Sequence, residues 1–412
     1  MKRKIALVCV AALAGTMMLT GCGSKEEGKA EAAGDGKAKV RFATWDVADD
    51  VDAQQALVDK FNEEHDDIEV TLEAYGSDFD TKISAGMGSG DTPDVVYMWN
   101  YPAYANGLEP LDEYIEKEGE DFKDNIYSTL WNYNSLDGTT YGMPVGFTTH
   151  ALFYNKDLFA EAGIDEPTDD WTWEDLKTAA KTIEEKTGQK GFAFQMKPDP
   201  YDFEMYLWSN GTAYCDEEGQ MAGNIDSAES QEVFQMFQDM EKDGYAIATE
   251  KNGTDEFRAG TAAMYIYGSW SIGSLDKDGM NYGIAKIPSF EGKTSVSILS
   301  SSGLSISKDS KNKEAAWEFV KYWTGEECNK ARIGIELPVL NSVVESEGIM
   351  KEEKYAPFYK MLEQSDGHTP ASFLIEDWSE ISENLSLSFE QLFNPSAYMD
   401  VNEVLTEAAD AQ

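Results

Sequence analysis

From Val40 onward, short apolar runs alternate with amphipathic stretches, and each period predicts an element. Val40-Arg41-Phe42-Ala43-Thr44-Trp45 alternates with period two and reads as a strand. Leu57, Val58 and Phe61 mark the inner stripe of a helix that ends near His65-Asp66-Asp67, and Ile68-Glu69-Val70-Thr71-Leu72 is the next strand. The pattern predicts a helix over residues 79–85, broken by Gly86-Met87-Gly88-Ser89-Gly90 and followed by a buried strand over 94–98. Thr172-Trp173-Glu174-Asp175 opens a further helix, with Thr172 as cap and acids in the first turn, where they favour the positive helix end. Val233, Phe234, Phe237 and Met240 form a helical stripe after the cap candidates Asp226 and Ser227. Ala315, Ala316, Phe319, Val320 and Trp323 form another. Strands interleaved with helices are the signature of an α/β fold.

The N-terminus follows another pattern. Lys2, Arg3 and Lys4 precede an apolar run from Ile5 to Leu19, shorter than the roughly 20 residues a spanning helix needs. Residues 1–21 therefore read as a secretory signal peptide. The run closes on Leu19-Thr20-Gly21-Cys22, which resembles the lipobox of bacterial lipoproteins and implies lipidation of Cys22. A plain signal with a chance cysteine is the alternative. Residues 22–39 hold no large apolar side chain after Cys22 and read as a flexible tether, spanning at most about 60 Å when fully extended. The expected location is extracytoplasmic and anchored to the cell membrane, and the membrane, inner or outer, stays open.

Composition removes several partners. The chain has 412 residues with 33 Lys+Arg against 77 Asp+Glu, a net charge of −44. Such a surface repels nucleic acid, anionic lipid faces and multiply phosphorylated ligands, so no nucleic-acid partner is expected. The length suits two or three domains. After signal removal and lipidation, Cys215 and Cys328 remain; a pair and two buried thiols are both open.

Catalytic motifs are sparse. The three histidines, His65, His150 and His368, stand apart from any Gly-x-Ser-x-Gly elbow and read as surface or structural residues. No zinc spacing occurs, and Asp276-Lys277-Asp278-Gly279 lacks the distal ligands of a calcium loop, so neither metal nor cofactor is expected. The glycines at 86–90 run from helix to strand, the reverse of a phosphate loop, and read as a turn.

What remains is aromatic. Of ten tryptophans, Trp173, Trp317 and Trp323 lie on helices and read as core. Trp45, Trp99, Trp208, Trp270 and Trp378 occupy polar or glycine-rich junctions, where core and cleft readings are balanced for any single ring. Trp45 and Trp99 stand at strand ends, where open α/β sheets bind ligands, and Asp46 and Asn100 follow them as hydroxyl partners. Flat apolar faces beside carboxylates and amides suit a sugar.

Several segments resemble the extracellular solute-binding proteins (family 1, carbohydrate type) that serve ABC importers. They are Gly90-Asp91-Thr92-Pro93-Asp94-Val95-Val96, Tyr141-Gly142-Met143-Pro144, Leu152-Phe153-Tyr154-Asn155-Lys156-Asp157-Leu158-Phe159, Trp171-Thr172-Trp173-Glu174-Asp175-Leu176, Phe257-Arg258-Ala259-Gly260-Thr261-Ala262-Ala263-Met264 with Gly268-Ser269-Trp270, and Leu337-Pro338-Val339. The resemblance implies a two-lobe periplasmic-binding-protein-like α/β fold of type II, with discontinuous lobes joined by crossing strands around a ligand cleft. Crossings fall near 144–147, 285–288 and 337–341. Lobe 1 is then 40–145 with 288–338, and lobe 2 is 146–287 with 339–412. The implied ligand residues are Trp45, Asp46, Asp80, Trp99, Asn100, Phe147, Tyr201, Trp208, Trp270 and Trp378. The implied partners are a mono- or oligosaccharide and the permease subunits of an ABC transporter, with the receptor a monomer. A polyol or other solute on the same fold, a secreted glycoside hydrolase and a surface adhesin are the competing readings.

Overall fold

The computed structural model describes residues 36–365 and 368–412; residues 1–21, Cys22 and most of the tether lie outside the described residues. Its organising feature is one mixed sheet. In order, Tyr282–Ala285, Met143–Asn155, Leu299–Ile306, Val95–Met98, Ala38–Thr44 and Ile68–Ala74 lie side by side, and Met264–Gly268 joins Met143–Asn155 separately. Ala38–Thr44 runs parallel to both neighbours, with Val40 opposite Val70 and Phe42 opposite Val95. The remaining pairings are antiparallel.

Met143–Asn155 holds the molecule together. Its early residues pair with Leu299–Ile306, and its later ones with Met264–Gly268 and Tyr282–Ala285. All 13 of its residues are buried. Side-chain alternation divides its later half between two cores: Ala151 and Phe153 belong to the first, Leu152 and Tyr154 to the second. The first core gathers Val40, Phe42, Phe61, Tyr97, Phe319 and Trp323 around the parallel strands and helix Lys313–Thr324. The second is richer in rings. Phe203 packs edge-on against Tyr206 at 5.3 Å and Phe389 at 4.8 Å, and Phe194 lies 4.8 Å from Phe237. Each such pair contributes about 0.5–1.5 kcal/mol beyond its buried area.

The chain passes between these cores more than once. Ile287, Phe290, Val296 and Ile298 pack in the second core, and the chain rejoins the mixed sheet at Leu299. Leu337, Val339 and Leu340 lie in the first core, with Leu337 bridged to Phe147. Helix Ala356–Gln364 then straddles the two, giving Phe358 and Leu362 to the first and Met361 to the second.

Local signals read from the sequence explain several boundaries. Thr172 caps Trp173–Thr187 through a full capping box: its Oγ1 accepts from Asp175 N, and Asp175 accepts from Thr172 N at 2.9 Å. Those hydrogen bonds from Thr172 lower the Asp175 pKa. Ser227, rather than Asp226, caps Ala228–Lys242. The expected break at 86–90 is corrected: the helix is Phe79–Ser89 and stops only at Gly90, where φ is 73°. A Cβ at Gly86 would sit 3.2 Å from the backbone of Thr92, so its bare Cα lets helix and following turn lie close together. Cys215 and Cys328 are both free and buried, which resolves the open choice in favour of two thiols; burial pushes their pKa values up to about 12 and about 11. Among the described residues no helix is long and apolar enough to cross a membrane.

Candidate ligand-binding cleft

A cavity of about 440 Å³ opens where the two cores face each other. Trp99, Tyr101 and Tyr133 form one wall, Leu299 lies at the crossing, and His368 and Phe373 form the other wall. Glycines set the first wall. A Cβ at Gly142 or Gly303 would lie 1.9 or 2.3 Å from the Tyr101 hydroxyl, which donates to Asn134 Oδ1 at 2.5 Å. Only bare backbone leaves room for that buried hydrogen bond.

Trp45 and Trp99 directly follow the strands Ala38–Thr44 and Val95–Met98, as the strand-end reading places them. Trp45 is half-buried, edge-on to Phe79 at 5.4 Å and to Tyr97 at 5.0 Å. Trp99 meets Tyr201 of the opposite wall edge-on at 6.2 Å, and the Tyr201 and Tyr133 hydroxyls are 3.4 Å apart. Asp46 accepts from the Thr44 hydroxyl at 3.0 Å and from the Gln54 amide. Burial, reinforced by the negative charge of Glu336, pushes its pKa up to about 6. Asn100 caps the short helix Tyr101–Tyr104, accepting from Ala103 N at 3.2 Å, so part of its bonding capacity is used by backbone. Asp80 is exposed and accepts from the Tyr104 hydroxyl at 3.0 Å.

On the opposite side, Trp270 is 48% exposed, the largest ring so open. It stands edge-on to Tyr267 at 5.0 Å and to His150 at 5.6 Å. A Cβ at Gly268 would lie 2.6 Å from the indole, so the Gly-Ser-Trp sequence is what lets the ring fold back over the strand end. His150 is buried and its Nε2 lies 3.0 Å from Asp202 Oδ1, a structural role that fixes the ring beneath Trp270. Gln195, Asn252 and Tyr267 border the same depression as Trp270.

Phe147 and Trp208 sit inside the protein body, and Trp378 is half-buried against it. Phe147 is 4% exposed and packs edge-on against Tyr359 at 5.0 Å. Trp208 is 6% exposed and backs His368 at 5.0 Å from within the second core. Trp378 stacks on Tyr214 at 6.1 Å. Of the expected residues, Trp99 lines the cavity and Tyr201 meets it from the other wall, while Trp270 borders a separate depression.

Sequence reasoning missed Glu336. It accepts from Ser302 Oγ at 2.6 Å and from the Tyr97 hydroxyl at 3.2 Å, and pairs with buried Arg332 at 3.3 Å. A Cβ at Gly146 would meet its carboxyl carbon at 2.5 Å. Nothing marks it among 77 acids except its place one residue before Leu337-Pro338-Val339. No group of acids, histidines or cysteines among the described residues is arranged to hold a metal ion. Asp276 is paired with Lys354 and Asp278 with Arg258, so the 276–279 turn serves ion pairs.

Two α/β halves hung on shared crossing strands, with aromatic rings meeting across the gap, define a two-lobe solute receptor of type II. The family described as Bacterial extracellular solute-binding protein matches residues 45–330, and the chain belongs to it. The family binds solutes for ABC importers and its members are not enzymes. Among relatives, the galactooligosaccharide-binding protein of Bacillus subtilis (strain 168) is 27% identical over 372 residues, 85% of this chain and 84% of that protein. The GacH receptor of Streptomyces glaucescens GLA.O, solved unliganded and in complex with acarbose and an acarbose homolog, has a TM-score of 0.75 at 25% identity, over 91% of this chain and 97% of that one. The cyclic alpha-maltosyl-1,6-maltose binding protein of Arthrobacter globiformis has a TM-score of 0.78 at 24% identity, over 91% and 98%, a likeness of fold.

Proposed function

We propose that the chain captures a neutral oligosaccharide in this cleft and delivers it to the permease of an ABC importer, held at the membrane by a diacylglycerol on Cys22. The observation that carries the reading is the meeting of Trp99 with Tyr201 across the gap, with Trp270 exposed in a neighbouring depression. Rings from both halves can grip the apolar faces of successive sugar units, while Asp46 and its neighbours accept from hydroxyls. A guest that touches both walls favours the closed arrangement by its differential affinity, and no bond is made or broken. Two acyl chains suffice for stable anchoring, where one gives only marginal binding.

The test is a melting-shift screen of the purified mature chain against galacto-oligosaccharides, linear and cyclic malto-oligosaccharides and sn-glycerol-3-phosphate. Stabilisation by a neutral glycan, with the glycan recovered intact, is the expected outcome. Stabilisation by the phosphate alone would replace the sugar with an anionic solute, and release of smaller sugars would restore the glycosidase.

A further inference from the structure

Glu204 is a buried acid that the binding reading does not use. It ends the π-helical turn Pro200–Glu204, which carries Tyr201, and is 1% exposed. Its Oε1 accepts from Tyr214 N at 3.1 Å and its Oε2 from Ala371 N at 2.8 Å. Both donors are neutral backbone groups. A carboxylate placed in an aromatic core with no cation bonded to it is costly, and an apolar residue would suit that core better. The cost falls where three stretches of chain converge. Ala371 begins the helix Ala371–Leu374, so its N–H has no acceptor within that helix and Glu204 supplies one. Phe373 of that helix is edge-on to Tyr201 at 6.3 Å and lines the cavity.

We infer that Glu204 is a positioning residue: its carboxyl group clips the Tyr201 turn to the Phe373 helix, so both rings form one wall that loosens when the buried carboxyl ionises. The proton matters because an ionised carboxyl held out of water favours any opening of the turn that hydrates it, whereas the neutral acid does not. Burial pushes the Glu204 pKa up to about 7, so the change falls within the neutral range. The other titratable groups around it are Tyr214 and Cys215, both pushed up by burial, Asp216 beyond them, and Asp199 and Asp202 on its own turn. Helices Ala228–Lys242 and Trp378–Leu392 turn Phe234, Phe237 and Phe389 toward the turn, while Glu383 and Glu390 face solvent. Glu376 and Asp377, which follow the clipped helix, are exposed as well. Naming the wall a ligand wall rests on the proposed sugar reading, but the clip can be tested without any ligand.

The experiment is amide hydrogen exchange on the ligand-free mature chain between pH 6 and 8, corrected for intrinsic exchange rates. Peptides covering 199–204 and 369–374 should lose protection together, about tenfold, as pH rises from 6 to 8. Glu204→Gln, whose amide cannot ionise, should show no such pH dependence. Glu204→Asp, one methylene shorter and unable to reach both donors, should exchange faster than the parent at pH 8 and serves if the Gln variant does not fold. Protection that is flat with pH in the parent overturns the inference, as does a Gln variant that keeps the parent's profile. Since no glycan is added, failure of the sugar screen and failure of the clip are separate results.

Discussion

The two walls of the cleft are held in place by different means. The wall on the first core grows from the ends of parallel strands, each fixed by backbone ladders on both edges, so Trp45 and Trp99 inherit their positions from the sheet. Its acids are held by side chains: Thr44 and Gln54 on Asp46, and Tyr97, Ser302 and Arg332 on Glu336. The wall on the second core rests on a π-helical turn and a four-residue helix, and Trp270 stands apart on the turn after Met264–Gly268. There Glu204 is held by two backbone N–H groups, and Trp270 by a glycine that makes room for it. Sheet ends position rings by pairing alone. Irregular segments need a buried polar contact or a bare Cα at each ring.

That contrast breaks most visibly at Trp208 and Trp270, which sequence context alone leaves equivalent. Trp208→Ala should cost roughly 3–5 kcal/mol of stability, the usual range for emptying a ring-sized site, as read in a denaturant melt. Next in size is the pH dependence of Glu204. Its pKa is about 7 in the folded chain against an ordinary 4.5, so unfolding is favoured progressively as pH rises from about 4.5 to 7. Over that window, the melting stability of the parent should fall relative to Glu204→Gln by about 3 kcal/mol, then stay level above pH 7. Trp270→Ala should lower affinity for the stabilising glycan by roughly 2 kcal/mol while moving the melt little, measured by calorimetry. Gly268→Ala should push the indole off the strand end and cost affinity about tenfold, close to 1.4 kcal/mol. Smallest is Asp46→Asn. Affinity of the parent should change between pH 5 and 7 as the Asp46 carboxyl ionises, and the variant should flatten that part of the profile.

The sequence carried the first wall better than the second. Alternation over 40–45 and the apolar run before Met98 place Trp45 and Trp99 at strand ends because period-two patterning is a property of the strand itself. Trp270 is legible through Gly268, since Gly-Ser-Trp is a local steric arrangement. Phe147, Trp208 and Trp378 carry no such mark. Their packing is set by Tyr359, His368 and Tyr214, partners distant in sequence. Glu336 and Glu204 were illegible for the same reason: each is one acid among 77 until the fold surrounds it. The glycines at 86–90 misled because Gly86 serves a tight approach to Thr92 within a continuing helix, not a turn.

The strand Met143–Asn155 has a consequence for how the molecule comes apart. Because one uninterrupted, fully covered ribbon contributes side chains to both interiors, neither interior can be dissolved while the other stays intact. Heating should therefore give a single cooperative transition, and a gene fragment encoding either half alone should yield an insoluble product.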